Sequence, residues 1–175
     1  MSAIGLLVIL FSLFFNKVHV YHGRLYAVWG KNWGGLELGC FFICGESSGE
    51  HTFAHECGHG LQNCIWGPLF PFIIGFPSMI RYWLRTFKTP KTKKTYAGIL
   101  TLCIILLGIL VMLIPLTVFF IIGVLIMVYA IIIMFWLFIK EIPQYTENQR
   151  PKYDDIWFEG QATKWGEQYV ATDLI

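Results

Sequence analysis

AGILTLCIILLGILVMLIPLTVFFIIGVLIMVYAIIIMFWLFI, residues 97–139, is a run of 43 residues without one charged side chain. As one helix it would reach about 64 Å, twice the ~30 Å apolar core of a bilayer. Two helices of about 20 residues fit that core. Pro115 is the natural break, because proline removes a helix hydrogen bond and clashes with the preceding turn, and Gly123 is the weaker alternative. A transmembrane hairpin is therefore expected, with spans at 96–113 and 116–139 and with Lys94 and Lys140 bracketing it at one membrane face. A buried hairpin in a soluble core would need more chain around it than 175 residues provide. Charged residues make up 14% of the chain, against roughly 25% in water-soluble domains, which favours the membrane.

Outward from the hairpin, Arg81, Arg85, Lys88, Lys91, Lys93 and Lys94 fall within fourteen residues. Beside an apolar span such a run reads as a juxtamembrane, cytoplasm-facing loop that meets lipid headgroups, and not as a nucleic-acid site. The length suits one domain, 1–175. Its first segment, 1–16, holds an apolar run at 4–15 that is short for a span and lacks a basic start. A short span, a membrane-surface anchor and a buried element all fit it, and a membrane-associated helix is preferred. Residues 18–45 carry short β-rich runs at 18–21, 25–29 and 36–44 separated by turn residues, the pattern of a small meander or hairpin. The apolar stretch 69–80, interrupted by Pro71, Gly75 and Pro77, reads as a broken or re-entrant element. The amphipathic stretch 79–87 follows, with Tyr82 and Trp83 suited to a headgroup zone. A last helix is expected over 154–170. The fold class is α+β, predominantly α, in a membrane. Five cysteines without compact spacing argue against a disulfide framework. Cys57 and Cys64 read as packing residues. Cys40 and Cys44 share one face of the run 36–44, where a second metal site is the less favoured alternative.

The chemistry sits in His55-Glu56-Cys57-Gly58-His59, on a helix expected over 53–66, with Thr52 as its cap and Gly67-Pro68 as its end. Residues i and i+4 share a helix face, so both imidazoles can reach one metal ion, and Glu56 projects beside the open coordination position. Gln62 lies on the same face and can support a histidine ligand. Gly58 and Gly60 each cost roughly 1 kcal/mol of helix propensity, so the helix needs help from packing or metal. Glycine there also admits a second backbone, a strand or a bound peptide. A catalytic zinc takes three protein ligands, and the downstream carboxylates are Glu141, Glu147, Asp154, Asp155, Glu159, Glu167 and Asp173. His19, His22 and His51 are the other histidines, with His51 expected outside the helix.

The motif resembles the HExxH signature of zinc metallopeptidases. The segment Trp157-Phe158-Glu159-Gly160-Gln161-Ala162-Thr163 resembles the glutamate segment of the gluzincins, in which a second helix supplies the third ligand from an ExxA pattern. The order HExxH, hairpin, ExxA is similar to that of the membrane-integrated peptidases of the HtpX and CAAX-processing type. The chain also resembles small uncharacterised HExGHxxQ proteins. The resemblance implies Zn2+ held by His55, His59 and Glu159, with Asp155 and Asp154 next in line. Those peptidases follow the alanine with an aspartate that supports a histidine ligand, whereas Thr163 stands here, and Gln62 is expected to take part of that role. Two spans, an even number, return Glu159 to the side of the motif helix.

On this reading Glu56 is the general base of a membrane-bound zinc endopeptidase acting on peptide or protein substrates at the cytoplasmic face. Tyr153, Tyr169 and His51 are candidate oxyanion donors, and the run 36–44 offers an edge for an extended peptide. The alternatives are a non-catalytic zinc-binding or structural membrane protein, and a metal hydrolase acting on a lipid or cell-wall amide.

Overall fold

A computed structural model describes residues 2–15, 17–87, 89–145 and 151–172. The chain is mostly helical with one small sheet, an α+β fold of predominantly α character. It falls into two compact units, Met1–Ser78 with Lys152–Ile175, and Met79–Pro151.

The first unit opens with α1 (Ser2–Leu13), followed by β1 (Val18–Tyr21), β2 (Arg24–Val28), β3 (Gly35–Glu37) and β4 (Phe41–Cys44). The strand order is β1-β2-β4-β3, with β1–β2 and β3–β4 antiparallel and β2–β4 parallel. This corrects the expected meander: two hairpins join edge to edge through a parallel central pair. It also corrects the single strand over 36–44. Gly39 takes φ +96°, open to glycine, and Leu38 N–H donates to Phe41 O at 2.8 Å, so the run folds back as a hairpin. Cys40 therefore sits exposed in a turn while Cys44 is buried in β4, and the two do not share a face.

Side chains alternate across the sheet, so each face takes its own helix. On one face α1 docks through Gly5, Ile9 and Ser12. Gly5 packs against Leu38 and Phe41, and Ser12 Oγ accepts from Trp29 Nε1 at 2.8 Å. On the other, Phe53 of α2 (Glu50–Trp66) meets Tyr26 and Phe42, whose rings stack at 5.0 Å. The motif helix starts three residues earlier than expected. Gly49, extended, takes the N-cap place of Thr52, and Glu50 in the first turn suits the positive end of the helix dipole. His51 is thus inside the helix, on its exposed side. Cys57 is buried, but Cys64 is exposed, not a packing residue of the core.

Helix α6 (Trp157–Thr172) crosses α2 antiparallel at backbone contact. A Cβ on Gly58 would overlap the Ala162 carbonyl, and one on Gly166 would overlap the Ala54 carbonyl. Small residues one turn apart on both helices thus make the crossing. One further turn along, Gln62 Nε2 donates to Phe158 O at 2.7 Å. Gly58 admits a helix rather than a strand or peptide. Gly60 admits a side chain: its Cβ would lie 2.5 Å from Arg24 Cζ. Arg24 donates to Glu56 O (3.1 Å), Cys57 O (3.3 Å), Gly39 O (2.7 Å) and Glu37 Oε1 (3.2 Å). One half-buried guanidinium so ties the sheet to the motif helix, offsetting the propensity cost of the glycines. Phe70, Ile74 and Phe158 form a small core beyond the helix, on the helical path Gly67–Leu69 and Pro71–Gly75. The helices on either side of Phe70, Glu50–Leu69 and Pro71–Thr86, meet at a bend of 115°, which agrees with the broken or re-entrant element expected over 69–80.

α3 (Phe76–Thr86) leads into the second unit, which holds α4 (Pro90–Met112) and α5 (Thr117–Phe135). α5 continues through helical turns to Gln144, giving two helices long and apolar enough to cross a membrane. The first starts earlier than residue 96 because Thr89 Oγ1 accepts Thr92 N–H and Pro90 holds the first helical position. Gly123 is not a turn. Its Cβ would lie 2.7 Å from Gly108 O, so these glycines let the two helices approach closely. The expected basic loop is absent from the described residues. Arg81 is buried on α3 and pairs with both Glu141 oxygens (2.6 and 2.8 Å), and Lys93 is buried in the first turn of α4, donating to Leu84 O and Phe87 O. Lys91 and Lys94 are exposed, and Lys88 lies outside the described residues.

Gly166→Ala is expected to lower unfolding stability by about 1–3 kcal/mol through overpacking at the helix crossing. Thermal or denaturant unfolding of the purified protein measures it, with Gly98→Ala, at an open helical surface, as a control expected to lose no stability.

Candidate metal centre

The crossing of α2 and α6 decides which side chains meet. His55 and His59, one turn apart on α2, face the first turn of α6, and Glu159 projects between them. His55 Nε2 and His59 Nε2 each lie 3.1 Å from Glu159 Oε2. All three residues are buried. Two ligands each 2.0–2.1 Å from one tetrahedral zinc stand roughly 3.3 Å apart, so this spacing fits a shared ion. The second carboxylate oxygen, Glu159 Oε1, is buried without a hydrogen-bond partner. A buried carboxylate oxygen without a partner, beside two imidazole nitrogens that converge on its twin, fits a cation. Among the described residues, His55, His59 and Glu159 are the group able to hold a metal ion.

Both rings are oriented from behind. Gln62 Nε2 donates to Phe158 O and to Gln161 Oε1 (3.0 Å), which turns its carbonyl Oε1 toward His59 Nδ1 at 2.8 Å. His59 Nδ1 therefore carries the hydrogen and Nε2 faces Glu159. Thr163 Oγ1 stands 2.8 Å from His55 Nδ1. Gln62 thus supports His59, while the place expected for an aspartate beside His55 is filled by the Thr163 hydroxyl.

Glu56 is buried beside the pair. Burial pushes its carboxyl above the ordinary range; the two imidazoles pull it back, and Glu159 adds to the rise. β3 lies flat against it: a Cβ on Gly35 would sit 2.5 Å from Glu56 Oε1. β3 is also an edge strand of the sheet. Neither Gly35 nor Arg24 is identified from sequence; the adjacent glycines Gly34 and Gly35, before the run 36–44, are the one signal that could have drawn attention to the first. Tyr153, in the turn Tyr153–Asp155, has its ring 5.9 Å from that of His55, tilted by 56°, and its hydroxyl lies 3.0 Å from Ser78 Oγ. Burial and Glu159 raise its pKa, so it stays a donor at neutral pH.

The other candidates lie elsewhere. Tyr169 Oη donates to His22 O at 2.7 Å, and His51 is exposed at the start of α2. His19 lies against Tyr26 on β1. Asp155 Oδ2 accepts Lys152 N–H, Glu141 pairs with Arg81, and Glu167 is exposed. Glu147 and Asp173 lie outside the described residues. No family model matches the chain, and no curated protein or solved structure matches it.

Without metal, a proton takes the place of the ion. Burial disfavours charge on His59, but Glu159 outweighs it and lifts the His59 pKa from 6.5 to about 9. Burial likewise opposes Glu159 ionisation, yet hydrogen bonds from His55 and His59 lower its pKa from 4.5 to about 2. The raised histidine stabilises fully below its unfolded value of 6.5 and loses that contribution as pH rises through about 9. The depressed carboxyl stabilises fully above 4.5 and loses it as pH falls through about 2. Metal-free protein is therefore expected to lose thermal stability between pH 6.5 and 9, and zinc, displacing the proton, is expected to reverse that loss. Unfolding temperatures with chelator and with zinc across this range measure both.

Proposed function

We propose that the chain is a membrane-integrated, zinc-dependent endopeptidase. The observation that carries this is the convergence of His55 Nε2, His59 Nε2 and Glu159 Oε2 beside the buried carboxyl of Glu56. Two imidazoles and one carboxylate are a donor set suited to zinc with an open fourth place. A structural zinc would need four protein ligands, and the cluster among the described residues offers three. The resemblance to gluzincin-type membrane peptidases points the same way.

When bound, zinc supplies Lewis acidity that makes water a nucleophile near neutral pH and polarises a carbonyl. Glu56, its affinity for protons raised by burial, would be the group that accepts a proton from the attacking water and delivers it to the leaving amine. Tyr153 is the candidate donor to the developing oxyanion. The free edge of β3 is where an extended peptide would pair, with Gly35 letting its backbone run past Glu56.

Membrane integration rests on α4 and the helix Thr117–Gln144. α1 supports it from the first unit. Its buried positions occupy one narrow face, while Ile4, Leu6, Leu7, Leu10, Phe11 and Leu13 stay exposed over an arc of about 180° at 100° per residue. So wide an apolar arc suits lipid better than a second helix, which would need a stripe. Exposed Lys91, Lys94 and Lys140 near the ends of the hairpin support reading those ends as cytoplasmic.

Glu56→Gln is expected to keep bound zinc and abolish cleavage of a peptide library; turnover by this variant would remove Glu56 as the base. Gly35→Ala is expected to keep zinc and to lower kcat about 100-fold by displacing the Glu56 carboxylate. Steady-state kinetics with bound-metal analysis read out both. Lipid hydrolysis without proteolysis would decide for a lipid substrate instead.

A further inference from the structure

Thr163 stands where related peptidases carry an aspartate behind a histidine ligand. In this chain a carboxylate reaches that ring from another direction. Thr163 Oγ1 donates to Asp154 Oδ1 at 3.2 Å while lying 2.8 Å from His55 Nδ1. An ionised carboxylate only accepts, so the single hydroxyl hydrogen is committed to Asp154. The lone pairs of Thr163 then face His55, and Nδ1 must be the protonated nitrogen of that ring. Nε2, 3.1 Å from Glu159 Oε2, is then the ring nitrogen offered to a metal ion in place of its hydrogen bond to that carboxylate.

The turn that carries Asp154 is held for this. Asp155 Oδ2 accepts Lys152 N–H at 2.8 Å, closing the turn on itself. Gly160, in the first turn of α6, lets that turn lie close: a Cβ there would stand 2.6 Å from Asp154 O. Residues 154, 160 and 163 are thus one local assembly behind His55. His59 has a separate and neutral support in Gln62.

We infer that Asp154, acting through the Thr163 hydroxyl, is the positioning carboxylate of the metal centre, a relay Asp154–Thr163–His55 that replaces a direct aspartate–histidine bond. Neither residue touches the ion; they set the tautomer and the basicity of the ligand that does. The inference rests on the proposed metal site, and it concerns which residues tune that site's affinity. A supporting partner of this kind is worth 10–100-fold in metal affinity.

The test is zinc affinity of the full chain in detergent at fixed pH, by competition with a chromophoric chelator. Asp154→Asn and Thr163→Val are each expected to weaken zinc about 10-fold or more, and the double variant to bind no worse than Thr163→Val alone, because both break one relay. Thr163→Ser keeps the hydroxyl and is expected to bind as the wild type does. In the Asp154→Asn background, Thr163→Asp supplies a carboxylate directly and is expected to restore affinity. Wild-type affinity in Asp154→Asn overturns the relay and leaves the metal site standing, as does a Thr163→Ser variant that weakens as much as Thr163→Val. A wild-type chain that takes up no zinc overturns the relay and the metal site together.

Discussion

The backbone contact between α2 and α6 is the constraint on which the first unit depends. Gly58 and Gly166 carry no side chain where the two helices cross, so each backbone rests on the other's carbonyl. At that separation a glutamate on α6 reaches both imidazoles of α2 with its short side chain, and Gln62 reaches the Phe158 carbonyl. One extra methylene at the crossing pushes all of these contacts out of range together. Glycine in a helix costs propensity, and here that cost is offset by packing and by Arg24, which fills the space at Gly60 with four backbone and carboxylate contacts.

The polar residues around the cluster fall into supports of different kinds. Gln62 and Thr163 are neutral and hold one ring each through Nδ1. Glu56 and Glu159 are both carboxyls, separated in behaviour by their surroundings. Burial dominates for Glu56 and raises its proton affinity, whereas hydrogen bonds from two imidazoles overcome burial for Glu159 and keep it ionised. That divergence matches the roles proposed for them, one exchanging protons and one holding a cation.

What was legible in the sequence was what local periodicity decides. The i, i+4 spacing placed His55 and His59 on one face, and the charge-free run with Pro115 placed two long apolar helices and their break. Glu159 was singled out through a motif resemblance, and the structure sets it between the two rings. Long-range partners were not legible. Nothing in Arg24 announces that a guanidinium will occupy the notch at Gly60, and nothing in Asp154 announces a hydroxyl at Thr163. The hairpin within 36–44 was missed because Gly39 was not weighed as a turn. The run from Arg81 to Lys94 was read as a solvated loop because charge density says nothing about partners, and Glu141 lies sixty residues from Arg81.

The most direct measurement is X-ray absorption at the zinc edge on the purified, metal-loaded chain. The expected result is one zinc per chain with two imidazole nitrogens and carboxylate and water oxygens at about 2.0–2.2 Å, losing one oxygen-donor ligand in Glu159→Ala. No stoichiometric zinc, or a first shell containing sulfur from the cysteines, would contradict the proposed site.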